Sequence, residues 1–398
     1  MSTFQKHCSP TAVLTSSAET TGRLMGVDAT SWLEVDRAAL RANLGTFQRT
    51  VGPATGVCAV VKSNAYGHGM VEVARTLQRE RLWGFGVADL SEALLLRRVG
   101  IRRRILAMSS FADADVHSGI AERVDFTIFN HQQALLLEQR AARRTVNVHV
   151  KVDTGTTRLG VAPDNLAGFV RRLERLPALR LVGVMSHLAD AEGATASFTK
   201  RQLRVFDRAL QSIRRTNVVR HISCSASALR YPASRYDLVR IGIGLYGVWP
   251  SGVTKSDASR LHPGLQLRPV LSWKTRLLQV RQVARGTNIG YGRAFTAPRS
   301  MTIGTIPVGY WDGLRRSLSN RGSLLLAGKR CRIVGRVCMN LAMLNCSAVR
   351  HPSAGDVVTI LGGTARHGIS ADEIARTAGT ISYDMLSGIH PRLPRILV

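Results

Sequence analysis

Lysine is scarce in this sequence. Of its 398 residues 55 are basic, yet only seven are Lys, so a function that needs a reactive amine has few candidates. Acidic side chains are also in short supply, 26 against 55, which leaves a net charge of +29. Such a charge attracts nucleic acid and anionic surfaces nonspecifically. The arginines are dispersed, however, as Arg102-Arg103-Arg104, Arg143-Arg144, Arg171-Arg172, Arg214-Arg215 and Arg315-Arg316, which is the pattern of a solvated surface rather than of one binding tract. Specific nucleic-acid binding is therefore not expected. No apolar run approaches the roughly 20 residues of a bilayer-crossing helix, so no membrane span is expected either. The six cysteines (Cys8, Cys58, Cys224, Cys331, Cys338 and Cys346) form no C-x-x-C pair, and no histidine cluster has zinc spacing. Reduced, mostly buried thiols and no metal are the expectation. Residues 1–30 are rich in Ser and Thr, carry Glu19 and Asp28, and lack an apolar core, which fits neither a secretory signal nor a transit peptide. They read as a flexible tail on a cytoplasmic protein.

What is present is rhythm. Apolar, β-branched segments recur at Cys58 to Val61, Gly84 to Val87, Ile105 to Met108, Phe126 to Phe129, Val146 to Val150, Leu181 to Met185, His221 to Cys224 and Val239 to Ile243. Between them lie helix-like stretches, of which Leu90 to Arg98 and Ser197 to Arg214 carry apolar residues at three-and-four spacing. Eight buried strands alternating with helices predict an α/β fold, a parallel (β/α)8 barrel. After about residue 265 the strands come closer together, at Val270 to Val280, Met301 to Pro307, Ser323 to Leu326, Arg332 to Val337 and Val357 to Leu361. Turn signals at Arg321-Gly322, Ala327-Gly328 and Gly362-Gly363 separate them, predicting a second, mainly β domain. The expected barrel covers 38–265 and the β domain 266–398.

Lys62 lies in VCAVVKSNAYGHGM, residues 57–70. An apolar run delivers this lysine to the end of a buried strand, just before a turn. Partial desolvation there lowers the amine's pKa toward what covalent or proton-shuttling chemistry needs. On local chemistry alone, a strand-end lysine reaching out to solvent is an equal reading.

The stretch closely resembles the cofactor-lysine motif of alanine racemases, pyridoxal-phosphate (PLP) enzymes in which it usually reads A-V-V-K-A-N-A-Y-G-H-G; only Ser63 departs. Barrel enzymes place their chemistry at the C-terminal ends of the strands, and the polar residues there continue the resemblance. Tyr66 follows Lys62. Lys151-Val152-Asp153-Thr154-Gly155 and Arg158-Leu159-Gly160 resemble K-x-D-T-G-x-x-R-[LI]-G. The resemblance implies that Arg158 contacts cofactor and substrate carboxylate and that Lys151 is a candidate for carbamylation; taken alone, the two could be an ordinary strand-end charge cluster. His187 matches a histidine of the family's hydrogen-bond chain, although a lone histidine after a strand is more often structural. Ser225 inherits a phosphate-binding role, with Cys224 standing where the family usually has Asn. Val239 to Gly247 resembles V-R-x-G-I-x-x-Y-G, which implies that Arg240 faces the pyridine nitrogen and that Gly242 and Ile243 approach the phosphate.

In the second domain, Gly290-Tyr291-Gly292-Arg293, Pro307 to Gly313, Gly335 to Asn340 and Ile381 to Asp384 match four further family segments in order. Each tyrosine alone would read as a core or surface aromatic. The resemblance implies that Tyr291 is a catalytic base, that Tyr310 and Met339 bind substrate, and that Tyr383 reaches the phosphate and narrows the entrance. It also implies that the strand within 31–37 joins the second domain, and that the working unit is a homodimer with Tyr291, Tyr310 and Met339 contributed in trans. Asn340 stands where the family commonly has Asp, which should make an entrance lined by Tyr310, Arg316, Arg336 and Tyr383 more cationic.

The implied activity is interconversion of L- and D-alanine by two bases, Lys62 and Tyr291, on opposite faces of the substrate, supplying D-alanine for peptidoglycan. A racemase of broader specificity, for serine for example, could use the same parts. The decarboxylases that share this fold carry a Cys-Asp segment, and no Cys-Asp pair occurs here. A non-enzymatic PLP-binding or nucleic-acid-associated protein is suggested only by the charge.

Overall fold

A computed structural model describes residues 29–213, 217–363 and 367–398. The expected flexible tail over 1–30 falls almost wholly outside these residues. The chain opens with β1 (Ser31–Val35) and a helix, Arg37–Val51, whose first turn is capped by Asp36 Oδ1 accepting from Ala39 N at 2.8 Å. That helix buries Leu40, Leu44, Phe47 and Val51, the one-sided spacing of an amphipathic helix laid against a core.

Eight parallel strands follow: β2 (Gly56–Val60), β3 (Gly84–Val87), β4 (Ile105–Ala107), β5 (Asp125–Ile128), β6 (Val146–Lys151), β7 (Leu179–Met185), β8 (Val219–His221) and β9 (Leu238–Ile241). They run in the order β8-β7-β6-β5-β4-β3-β2-β9, each parallel to its neighbour. Between β8 and β9 the seam is joined by single hydrogen bonds, Asp237 N to Arg220 O at 3.1 Å and Arg240 N to Ser223 O at 3.0 Å. Eight strands form as expected, but the one expected over His221 to Cys224 lies at Val219–His221 instead, and a helix occupies Leu90–Arg98 as the spacing predicts. The helix expected from Ser197 to Arg214 ends at Gln211, and Arg214 itself lies outside the described residues.

The second unit is built on β10 (Leu271–Arg276), β11 (Gln279–Val283), β12 (Asn288–Ile289), β13 (Phe295–Thr296), β14 (Met301–Ile306), β15 (Ser323–Leu326), β16 (Lys329–Arg332), β17 (Ala342–Asn345), β18 (Val357–Gly363), β19 (Gly368–Ile369) and β20 (Arg395–Leu397). Its main sheet runs β16-β15-β18-β10-β1-β20, with β19 beside β18, and a smaller sheet runs β11-β14-β17. Two expectations need correction. Val270 to Val280 is not one strand: at Leu277 and Leu278 the backbone changes partners, from Asp356 O to Thr305 O, and so passes from the large sheet to the small one. Arg332 to Val337 is not a strand either, because the chain leaves β16 after Arg332, bridges Leu344 only at Ile333, and turns at Gly335 with φ 76°. Cys58, Cys331 and Cys346 are buried free thiols, and Cys224 and Cys338 are half-buried ones. Among the described residues no helix is long and apolar enough to cross a membrane.

Candidate active site

The chain leaves β2 at Lys62 into a turn of the wrong hand. Ser63, Asn64, Ala65 and Tyr66 have φ of 55°, 52°, 53° and 53°. A left-handed turn costs roughly 1–2 kcal/mol per residue for L-amino acids, so neighbours must hold it. Glu92 accepts from Ser63 N at 2.6 Å and from Ala88 N at 2.7 Å. Asn64 Oδ1 accepts from Met70 N at 2.8 Å. His68 Nδ1 lies 3.0 Å from the carbonyls of both Ala65 and Tyr66, so it must carry the proton and donate. Arg395 donates to Gly67 O at 3.0 Å from Nη2 and 3.2 Å from Nε. Gly67 combines φ 83° with no room for a Cβ, which would lie 2.0 Å from Leu386 O. The Asn, Gly and His of the motif thus act on the backbone that aims Lys62.

A cavity of about 800 Å³ opens over the C-terminal ends of the barrel strands. Of the residues singled out in the sequence, Lys62, Tyr66, Lys151, Arg158, His187, Ser225, Arg240, Gly242, Ile243 and Tyr383 all line it. Burial, then Arg158 and Arg240, lower the Lys62 pKa, with Glu92 opposing. Lys151 is pushed down to about 8 by burial and by Arg158 and Arg240, with Asp153 opposing. Asp153 itself is occupied: its Oδ1 accepts from Gly155 N and Thr156 N at 2.9 Å and from Thr157 N at 3.2 Å.

Arg240 is the hub of the cavity floor. It is 4% exposed and makes five hydrogen bonds: to the carbonyls of His221, Ser186 and Ile222 at 3.0, 2.7 and 3.3 Å, and to His221 Nδ1 and His187 Nδ1 at 2.8 and 3.3 Å. All five come from Nη1 and Nη2, which leaves Nε–H as its remaining donor. Burial pushes Arg240 down to about 10, still well above neutrality. His187 is pushed down to about 3 by burial, with Arg240, Arg158, Lys151 and Lys62 adding to the effect. It is a neutral imidazole, and accepting at Nδ1 makes it a donor at Nε2.

The opposite wall is small and polar. Ser225 Oγ accepts from Gly242 N at 3.1 Å and Gly244 N at 3.2 Å, so its own O–H is free to donate into the cavity. Gly242 is required there: a Cβ would lie 2.3 Å from the Tyr66 hydroxyl oxygen. Tyr66 packs against Tyr246 and Tyr383 with ring centroids 5.2 and 6.2 Å apart.

Three side chains of this site carry no sequence motif. Gln202, fully buried on the helix Ser197–Gln211, donates to Thr154 Oγ1 and His187 O at 3.1 Å and accepts from Ala189 N at 2.8 Å, tying the β6 and β7 loops together. Glu192 accepts from the Tyr383 hydroxyl at 2.7 Å. Glu192 and Asp190 both line the cavity. The only sequence signal for these residues is their place in the loop after β7 and on the helix that follows.

Tyr291, Tyr310 and Met339 are not at this cavity. They are 71%, 43% and 55% exposed, with Trp311 at 52% beside them. Tyr310 N and Trp311 N donate to Cys338 O and Met339 O at 3.0 Å, which binds two of the three loops into one apolar, outward-facing tip. Asn340, Arg316 and Arg336 are exposed as well.

The profile of the alanine racemase N-terminal domain matches residues 35–250, and that of the alanine racemase C-terminal domain matches residues 270–397. An alanine racemase of Synechocystis sp. is 37% identical over 375 residues, covering 92% of this chain and 99% of the relative. One from Syntrophobacter fumaroxidans is 39% identical over 365 residues, covering 91% and 96%. The crystal structure of alanine racemase from E. faecalis superimposes with a TM-score of 0.87 at 31% identity, covering 94% of this chain and 99% of that one. By fold, site and both profiles, the chain belongs to the alanine racemase family.

Proposed function

We infer that this protein interconverts L- and D-alanine, with pyridoxal 5'-phosphate held in the barrel cavity. The observation that carries the reading is the convergence of a desolvated amine, Lys62, with the spare Arg240 Nε–H donor and the Ser225 hydroxyl in one cavity. The residues fit the group: Ser225, Tyr66, Tyr383 and the backbone at Gly242 and Ile243 would hold the phosphate, Arg240 the ring nitrogen, and Lys62 the aldehyde carbon. When bound, the cofactor withdraws electrons from the substrate's Cα, which acidifies its hydrogen.

The chain's own groups move the proton. Lys62, its pKa lowered by burial and by Arg158, can accept a proton at Nζ on one face of Cα. Tyr291 would serve the other face from a partner subunit, since it is exposed and outside the cavity of its own chain. Its phenolate would be stabilised by donation from His187 Nε2, whose tautomer Arg240 sets. Tyr310 and Met339 would arrive with it, so the active assembly is a homodimer. Arg158 would bind the substrate carboxylate. Arg240 stays protonated at physiological pH and so offers a hydrogen bond rather than a proton, which restrains electron withdrawal and disfavours transamination. Division of labour between a PLP-binding barrel, 38–265, and a β domain, 266–398, that supplies the partner's base follows from the same reading. So do a cytoplasmic location and a role in supplying D-alanine to peptidoglycan.

Two measurements test this. Chiral analysis after incubation with each L-amino acid should show alanine racemised fastest; no racemisation, or faster turnover of another amino acid, contradicts the assignment. Borohydride reduction and peptide mapping should place the pyridoxyl label on Lys62, and a label on Lys151 would overturn the site.

A further inference from the structure

Beneath Arg240 a line of buried polar groups runs down the barrel axis. His221 Nε2 lies 2.9 Å from His149 Nδ1, and His149 Nε2 lies 3.6 Å from Asp125 Oδ2. His221 and His149 are fully buried and Asp125 is 2% exposed. Asp125 is fixed from its other side by Asn147 Nδ2 at 2.9 Å and by Arg104 Nε at 3.4 Å. The edge of His149 meets the Trp83 ring at a centroid distance of 5.8 Å, and Arg104 covers that ring at 4.9 Å, so the foot of the line is closed.

The direction of every hydrogen bond in this line is determined. Arg240 can only donate, so His221 must accept at Nδ1 and carry its proton at Nε2. His221 then donates to His149 Nδ1, and His149 must carry its proton at Nε2. That proton faces Asp125 Oδ2 at 3.6 Å, an ion-pair distance rather than a hydrogen bond; neither buried atom has a hydrogen-bond partner, and Oδ2 also lies 3.4 Å from Arg104 Nε. A cation at the top of the barrel is thereby connected through two neutral imidazoles, both in the same tautomer, to a carboxylate at the bottom. None of the five hydrogen bonds of Arg240 goes to a carboxylate. A buried cation without an adjacent counter-ion is costly, and polarised hydrogen bonds leading to a remote carboxylate reduce that cost.

We propose that His149 and Asp125 are positioning residues for Arg240, fixing the tautomer of His221 and through it the orientation in which Arg240 presents Nε–H to the cofactor ring. This rests on the reading of Arg240 as the group that meets the ring nitrogen. The relay itself is a property of the protein without cofactor.

The first test therefore uses cofactor-free wild-type protein. Imidazole 15N shifts should show His221 and His149 as neutral, with both protons on Nε2. A proton on Nδ1 of either ring, or a charged His149, overturns the relay. The second test uses the holoenzyme. In Asp125→Asn and His149→Gln the absorbance of the bound cofactor should shift and kcat should fall at least about tenfold with KM changed less than about twofold, the scale on which residues supporting a ligand act. Asp125→Glu should recover most of the loss. Unchanged absorbance with a lowered melting temperature would mean that the two residues only brace the barrel, and would overturn the proposal. If a variant fails to fold, the wild-type tautomers still decide. Failure of the wild type to racemise alanine would sink the proposed function while leaving the tautomer result to judge the relay.

Discussion

At the residue scale, Lys151 shows how neighbouring charge prepares chemistry. An ordinary lysine is neutral fewer than one time in a thousand at pH 7, whereas a pKa of about 8 leaves roughly one amine in ten with a free lone pair. That amine can attack carbon dioxide, forming an N–C bond and releasing one proton, and the resulting carbamate anion would sit beside Arg158 in place of a repelling ammonium. The intact protein should carry a carbamate mass gain on Lys151 that is lost on acid treatment, and bicarbonate should raise its occupancy. An unmodified Lys151 in bicarbonate would show that Arg158 is balanced another way. Gly242 makes the complementary point about space. Gly242→Ala should push the Tyr66 ring out of its contacts with Tyr246 and Tyr383, at a stability cost of about 1–3 kcal/mol for the overpacking. Cofactor affinity should fall about tenfold or more, each tenfold being about 1.4 kcal/mol of binding energy. A fluorescence titration with PLP measures the affinity, and a denaturant melt measures the stability.

At the scale of elements, the left-handed turn after β2 depends on protonation. His68 is held down at about 4 by burial, with the Tyr66 and Ala65 carbonyls opposing, against about 6.5 in the unfolded chain. The unfolded state therefore binds more protons between those values, so the stability contributed by neutral His68 is complete above about pH 6.5 and is lost as pH falls toward 4. The slope of unfolding free energy against pH in that window should flatten in His68→Gln; an identical slope would place the acid sensitivity elsewhere. This turn also marks the limit of what could be read from the chain. The eight barrel strands were legible because each is a short apolar run bounded by turn signals. The ten cavity residues were legible through the resemblance of their motifs to alanine racemases; convergence of strand ends accounts for those of the barrel but not for Tyr383, which comes from the helix Ser382–Ser387. The left hand of the turn was not, because Asn64 is the only residue from Ser63 to Tyr66 whose type favours positive φ; Glu92 and Arg395, distant in sequence, hold the rest. The switch of sheets at Leu277 and the line from Arg240 to Asp125 were hidden for the same reason, since both arise from tertiary partners.

At the scale of the whole molecule, the proposed division of the site between one subunit's barrel cavity and its partner's exposed Tyr291 predicts complementation. Lys62→Ala and Tyr291→Phe should each be nearly inactive alone, because every dimer of either kind lacks one base at both sites. Mixed under conditions that exchange subunits, half the dimers become hybrids, and each hybrid has one intact site. About a quarter of wild-type activity should return, as expected for random reassortment of a two-fold dimer. Continued inactivity after verified exchange would mean that Tyr291 acts within its own chain.

The last strand carries a consequence for how the protein is made. β20 pairs with β1, and Arg395 at its start reaches back 328 residues to hold Gly67 in the turn beside Lys62. At a synthesis rate of about 5–20 residues per second, that arginine leaves the ribosome some tens of seconds after the turn it secures. A nascent barrel can pair its eight strands before then, but the turn beside Lys62 gains its Arg395 hydrogen bonds only once that residue has been made. A chain cut before Arg395 would keep the barrel strands but lose this clasp on the turn that carries Lys62.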